Sequence, residues 1–464
     1  MLVGKRSAIT HGGRSKLAPG SRLPAEVVRA SQRERLMIAL VEVVDRQGLA
    51  ASTVADLIER SHVSRAAFYE QFESLEDCFL ATYDTHTARA GAQIVAAYEE
   101  PGLSWPQRIE AAMDALAAAT QIWPAAARVC LSDVLTAGPP ARERHEQAIA
   151  LVRQMLRHSR AAVSDRSPVS KQGAVAITGG LRRVLYRRLR EPRAKPQETA
   201  RELSGWLLAC SPPSLVAAEP RVASSRVTHT PPRPVDAHPN GDEPESGDER
   251  RERIVEAVLE LAASKGYRAM SHRDIAGRAR ISYSTFYKQF PNKQEALLAA
   301  CEVAHERLAA PLAPALAAAP DWAHGVSDAL AAYLRAAAEH PREARLAGLE
   351  IYSLGRAGVE HVDRHAAGFE RLLDPGFELS PQTSRTVAEA FAGAVIELLR
   401  HYASEQRTAE LPDVGPELSY IALAPFIGGK DAQRIARYRP RYPTAAEPPA
   451  RDRAAASRRR SLRS

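Results

Sequence analysis

The chain has 464 residues, four Cys and an aromatic share of 6%, enough for two to four domains of ~100–200 residues each. Alanine runs at 115–119 and 315–319, with few long β-branched alternations, point to an all-α protein. The net charge of +8 sits at the ends: residues 430–464 carry +8 and 1–30 carry +5, leaving −5 for 31–429, which excludes a generally basic coat. Cys78, Cys130, Cys210 and Cys301 are scattered, with no C-x-x-C pair and no His at zinc spacing. They read as small apolar residues in a reducing compartment, with no cofactor and no metal expected. No secretory signal is expected at the basic N-terminus, and no apolar stretch of ~20 residues is present to span a membrane. The expected location is the cytoplasm.

In chain order, residues 1–30 read as a basic, disordered tail, whose charge suits phosphate as well as it suits a solvated end. The segment 31–84 then carries short helical patterns. Leu36, Ala39, Leu40, Val43 and Val44 stripe a first helix that stops at Gly48. Ser52 is expected to begin a second, burying Leu57 and Ile58, and Ser64 a third, with Phe68 and Phe72 facing inward. Residues 85–210 continue as a helical body. Pro212, Pro213, Pro231, Pro232, Pro234, Pro239 and Pro244 interrupt 211–247, which reads as a flexible linker.

The segment 248–301 repeats the order of the first head. Ile254, Val255, Val258, Leu259, Leu261 and Ala262 stripe a helix stopped by Gly266. Ser271 caps a second helix, with Asp274 in the N3 place of a capping box. Ser282 caps a third through Phe290, and a fourth begins near Pro291 and Asn292. A second helical body, 302–429, and a basic, disordered tail, 430–464, follow. Sliding the sequence by 218 places aligns 33–81 with 251–299 without a gap, and 16 of the 49 pairs are identical. A gapless match of that length means one fold used twice.

Two short helices joined by a tight turn form a helix-turn-helix, whose second member can enter a major groove about 12 Å wide. Its outer face needs small or polar residues. Ser282, Tyr283, Ser284 and Thr285 supply them in the second copy, and Ser64, Arg65, Ala66 and Ala67 in the first. The same pattern also fits a three-helix packing module that touches no DNA. The stretch 282–298, beginning Ser-Tyr-Ser-Thr-Phe-Tyr-Lys-Gln-Phe-Pro-Asn-Lys, resembles the N-terminal signature of TetR-type repressors. Residues 64–81 resemble a variant of it, and 53–63 and 272–281 fit upstream.

That resemblance implies two tandem units, each a three-helix helix-turn-helix DNA-binding head followed by an all-helical regulatory and dimerisation domain. The implied partners are double-stranded DNA and a small-molecule effector. It also implies that the hydroxyl of Tyr287, with Tyr69 as its counterpart, meets the phosphate backbone, and that Lys293 clamps a phosphate at the start of the fourth helix. Base contacts are then expected from Ser282, Tyr283 and Ser284. The first copy departs from the pattern. Leu75 stands where the second has Lys293, Glu70 stands where it has Lys288, and Glu73 adds negative charge. Arg65 alone offers a cation on the first reading helix. The family's turn glycine is replaced by His62 and by Arg280, the latter either a phosphate contact or simply exposed.

The bodies carry no nucleophile elbow, P-loop, zincin motif or dinucleotide fingerprint, so no enzyme is expected. His361 and His365 are spaced i, i+4, but with no further ligand apparent they read as an exposed polar face. Tyr98, Trp105, Trp123 and Tyr186 in the first body, and Trp322, Tyr333, Tyr352, Phe369, Phe391 and Tyr402 in the second, are candidates to line an apolar effector pocket, with core packing the preferred reading for any single one, so no ligand-binding residue is named. Residues 174–189 and 386–402 are long helical patterns holding Gly179, Gly180 and Gly393. They are expected to pair, in an intramolecular pseudo-dimer or a homodimer. The 37-residue linker spans ~30–35 Å as a flexible coil, near the ~34–36 Å between successive half-sites. The expected function is a ligand-responsive DNA-binding transcriptional regulator, acting as a repressor. The alternative is a sensor or partner-binding protein whose first head no longer binds DNA.

Overall fold

A computed structural model describes residues 24–158, 169–191, 194–210 and 246–437. The expected linker up to residue 245 and the tail segments 1–23 and 438–464 lie outside the described residues. Among the described residues every regular element is helical. The first unit runs α1 (Ala25–Gln47), α2 (Val54–Ser61), α3 (Arg65–Tyr69), α4 (Leu75–Tyr98), α5 (Trp105–Ile122), α6 (Pro124–Arg128), α7 (Val134–Thr136), α8 (Pro139–His158), α9 (Lys171–Arg188) and α10 (Pro196–Ala209). The second runs α11 (Gly247–Lys265), α12 (His272–Ala279), α13 (Tyr283–Gln289), α14 (Lys293–Ala309), α15 (Leu312–Ala318), α16 (Trp322–Glu339), α17 (Pro341–Gly348), α18 (Arg356–Arg371), α19 (Asp374–Leu379), α20 (Thr386–Ser404) and α21 (Gly415–Ala436).

Two boundaries differ from the sequence expectation. Helix α1 begins at Ala25, inside the expected tail, because Pro24 precedes it and Glu26 places negative charge in its first turn. Helix α21 runs on to Ala436, past a break at Gly428, whose φ of 77° no β-carbon-bearing residue adopts cheaply. Proline opens α6, α10 and α17, where the missing N–H is no loss.

Each head closes around the predicted stripe. Leu36, Leu40 and Val44 of α1 pack with Leu57, Phe68 and Phe79, and Ile254, Val258 and Leu259 of α11 with Ile275, Phe286 and Leu297, all buried. Each such side chain contributes roughly 1.5–3 kcal/mol. One arginine per head ties the first helix to the end of the third. Arg33 lies 4.3 Å over the Phe72 ring and donates to the Gln71 carbonyl at 3.1 Å. Arg251 does the same to Phe290 at 4.3 Å and to the Gln289 carbonyl at 3.3 Å.

The two bodies share one core. Helix α9 crosses α20 where both carry glycine. A β-carbon on Gly180 would lie 2.6 Å from the Ala390 carbonyl oxygen, and one on Gly393 2.7 Å from the Gly179 carbonyl oxygen. Helices α10 and α21 flank this crossing, with Trp206, Leu207, Tyr420 and Ile421 buried between them. Ion pairs lace the same contact. Arg183, itself buried, pairs with Asp363 and, at 2.8 Å, with Glu370; Arg188 meets Glu389 at 3.1 Å. Glu397 and Arg400 of α20, 2.6 Å apart and each 1% exposed, receive Arg153 and Glu146 from α8.

The heads also touch the opposite bodies. Arg356 at the start of α18 donates to the Asp45 carbonyl at 3.1 Å, and Arg268 donates to the Thr136 carbonyl at 3.2 Å. Most of the aromatics named from sequence lie in the core: Tyr333, Tyr352, Phe369, Phe391 and Tyr402 are buried. The reading of His361 and His365 as an exposed polar face is corrected. His361 is 1% exposed, because α18 turns this face toward α14.

Candidate nucleic-acid interface

The second head is assembled by local caps. Ser271 and Asp274 form the expected capping box, with the Ser271 N–H and hydroxyl donating to the Asp274 carboxylate at 2.7 and 2.6 Å. Lys265 reaches the same carboxylate at 2.5 Å. These bonds hold the Asp274 carboxyl well below the usual carboxylate range, the Lys265 and Ser271 hydrogen bonds being the main causes. Helix α12 ends at Arg280 in the left-handed region, φ 53° and ψ 48°. The Ile281 N–H then returns to the Ala276 carbonyl at 3.0 Å, the bond that closes such a helix end. This turn aims α13 outward.

Ser282 caps α13 by accepting from the Thr285 N–H at 3.1 Å, and its hydroxyl lies 2.9 Å from Ser284 Oγ and 2.8 Å from Thr285 Oγ1. Phe286 and Phe290 point into the core, so the opposite face turns to solvent. There Tyr283 is 50% and Tyr287 52% exposed, and Ser284, Lys288 and Arg280 are exposed beside them. Tyr283 and Tyr287, spaced i, i+4, share one face of α13.

His272 is a residue the sequence reading missed. Its ring stacks on Tyr287, centroids 5.7 Å apart at 29°, and meets Phe286 edge-on at 5.4 Å. It props the tyrosine upright. The aligned position in the first head is Val54, so the repeat carries no identity there to mark it.

Lys293 is placed differently from the phosphate clamp expected of it. Its ammonium donates to the Met270 carbonyl at 2.8 Å and the Tyr267 carbonyl at 3.1 Å, and lies 4.2 Å over the Tyr267 ring. Two of its three donors therefore close the α11–α12 turn onto α14. Partial burial lowers its pKa.

The first head has the same frame with fewer cations. Thr53, not Ser52, caps α2, in a capping box with Asp56. Ser52 is buried and donates to the Gly48 carbonyl at 2.8 Å. His62, which stands where the family has its turn glycine, takes the left-handed turn at φ 53°, a region that histidine enters more readily than most residues. Ser64 caps α3 by accepting from the Ala67 N–H at 3.2 Å. Tyr69 is 49% exposed, with the Arg65 guanidinium 5.7 Å from its ring. Glu70 and Glu73 are exposed nearby, and Leu75 packs against the core where the second head has Lys293.

Comparison with known proteins meets this geometry at both heads. The family model for bacterial regulatory proteins of the tetR family matches residues 36–82 and again 254–301. The HTH-type transcriptional repressor KstR of Rhodococcus jostii is 42% identical over 60 residues, 13% of this chain and 28% of that protein. KstR of Mycolicibacterium smegmatis is 40% identical over 60 residues, 13% of this chain and 29% of that protein. The chain thus spans under a third of the length of these curated relatives. The structure of the fatty acid degradation regulator FadR from Bacillus halodurans aligns at a TM-score of 0.35 and 17% identity, over 39% of this chain and 97% of that one. No described helix is long and apolar enough to cross a membrane. The family model is thus met twice, at the 218-residue spacing of the internal repeat, and each match falls on one helix-turn-helix head: the chain carries two tandem copies of the N-terminal domain of the tetR family.

Proposed function

We propose that the protein is a DNA-binding transcriptional regulator, a ligand-responsive repressor, that presents two heads to one duplex from a single chain. The observation that carries this is the outer face of α13, where Tyr283, Ser284, Tyr287 and Lys288 stand exposed above a buried Phe286–Phe290 floor. On this reading Ser282, Tyr283 and Ser284 meet base edges, and Tyr287, Lys288 and Arg280 meet phosphates. In the first head Ser64, Arg65 and Tyr69 hold the matching positions. Repression is supported by the likeness to KstR repressors. Capture and sequencing of bound genomic fragments would supply the operator. On it, Lys288→Ala is expected to weaken binding and to lower the log–log salt slope by about 1, the signature of one lost phosphate contact. An unchanged affinity and slope would remove α13 from the interface.

A second reading is favoured by Glu70, Glu73 and Leu75: the first head has given up DNA and acts as a partner-binding or sensing module. Arg65→Ala and Tyr69→Phe separate the two. Both weaken operator binding if the first head reads DNA, and neither does if it has lost that role.

The pseudo-dimer is supported by the α9–α20 crossing, which joins the two units within one chain. Light scattering is expected to give a monomer that protects two half-sites in footprinting. A chain that protects two half-sites only as a dimer overturns it. Effector binding is supported by a cavity of about 330 Å³ between the units, lined by Asp45, Arg128, Asp133, Tyr186, Arg190 and Arg356. Burial pushes the Asp133 carboxyl up to about 6. Such a lining suits a small polar molecule rather than an apolar one.

A further inference from the structure

Helix α14 leaves the second head and runs into the second body, where it meets α18. At that contact α14 presents Glu302 and His305, spaced i, i+3, and α18 presents His361 and His365, spaced i, i+4. Residues so spaced share one helix face. The rings converge. His305 stacks on His365 with centroids 4.0 Å apart at 10°, and His361 lies 4.5 Å from His365 and 5.1 Å from His305. One ring nitrogen from each of the three lies within 4.8 Å of the other two. A Glu302 carboxylate oxygen sits 3.2 Å from His365 Nε2 and 3.7 Å from His361 Nδ1.

We propose that His305, His361 and His365, with Glu302 as the fourth donor, bind one divalent transition-metal ion that ties α14 to α18. Three imidazoles and one carboxylate are a donor set suited to zinc, cobalt, nickel or copper. Tetrahedral Zn–N bonds of ~2.0–2.1 Å place donor nitrogens about 3.4 Å apart, a separation that ring rotations reach from the observed one. Burial first, then the neighbouring histidines, pushes His305 down to about 3 and His361 down to about 4, which favours the neutral form that a ligand needs at these two rings. The Cys301 carbonyl, 2.8 Å from Nδ1 of His305, supplies the outer-layer acceptor that orients a metal-binding ring. The Arg364 guanidinium lies 3.2 Å from His361 Nδ1. It is exposed and free to turn into solvent. The site lies outside the heads and does not depend on what they bind. Its position on α14 means that an ion there fixes the angle at which the second head leaves its body.

The test uses the full-length chain, stripped with a chelator and then offered zinc against a weak competing chelator. The expected result is one zinc retained per chain, with a raised melting temperature. Cobalt offered alone should give visible d–d bands without thiolate charge transfer. His365→Ala and Glu302→Gln lie on the half-exposed side of the cluster, so the fold is expected to survive, as circular dichroism would check. His365→Ala should weaken zinc binding by more than the ~10–100-fold typical of losing an outer-layer partner. Zinc not retained by the wild-type chain, or retained equally by folded His365→Ala, overturns the proposal.

Discussion

Glu397→Gln is expected to destabilise the protein by about 3–5 kcal/mol, the usual cost of removing one member of a buried ion pair. The substitution keeps the shape and removes the charge. Arg400, as buried as its partner, would then face Arg153 and Arg182 with Glu146 as the remaining carboxylate of the group. Urea unfolding, which leaves ionic strength constant, would read the loss as a lower midpoint at unchanged slope. The pH dependence follows from the same group. Burial alone would raise the Glu397 carboxyl, but the charges and hydrogen bonds of Arg400, with Arg182 and Arg153, outweigh it and hold the pKa well below the usual range. A carboxyl depressed in the folded state contributes stability above its unfolded value of ~4.3 and loses it as pH falls. The gap between wild type and Glu397→Gln should be constant from neutral pH to about 5 and shrink below about 4. A gap that stays flat into acid would mean that the carboxylate charge is not what holds this core. Replacing both partners, Glu397→Leu with Arg400→Met, should recover much of the loss.

Gly180→Ala is expected to cost about 3 kcal/mol, the upper end of the range for overfilled cores. The new β-carbon would sit 2.6 Å from the Ala390 carbonyl oxygen and 2.4 Å from the edge of the Trp206 ring. The first of these is helix backbone and cannot rotate aside, so α9 and α20 must part. Gly393→Ala meets the same obstacle from the other side, with the Gly180 α-carbon 3.0 Å away. Once the helices have separated for one β-carbon, the second has room. The double variant should therefore lose clearly less than the sum of the single losses, a coupling that a double-mutant cycle measures directly. Strict additivity would mean that the two sites are not one crossing.

How much of this was legible in sequence depends on how far apart the cooperating residues lie. The head was legible because its determinants are local: Gly266 ends a helix, Ser271 and Asp274 cap the next, and Phe286 and Phe290 repeat at helical spacing. Even the one misplaced cap was recoverable. Thr53 aligns with Ser271 at the repeat distance and carries Asp56 three residues on, so the capping box picks Thr53 over Ser52. Lys293 was harder, since the carbonyls it serves belong to a turn 23 and 26 residues earlier. The histidine cluster was out of reach. His361 and His365 announce a shared face, but His305 arrives 56 residues earlier in the chain than His361, and no spacing rule encodes how two helices are set against each other. The same holds for Glu397 with Arg153, separated by 244 residues. The glycines were visible as permission for close approach, but not which backbone would come close.

The ion pairs across the shared core have a consequence for self-recognition. Along this contact α9 offers Arg182, Arg183, Arg187 and Arg188, and the second unit answers with Asp363, Glu370, Glu389 and Glu397. Two first units brought together through α9 would set guanidinium against guanidinium, and two second units carboxylate against carboxylate. Both pairings waste buried charge, and only unlike units neutralise each other. The ancestral symmetry of a duplicated unit has thereby become polarity, a plug and a socket. The charges along this contact fit a first unit to a second unit and not to another of its own kind.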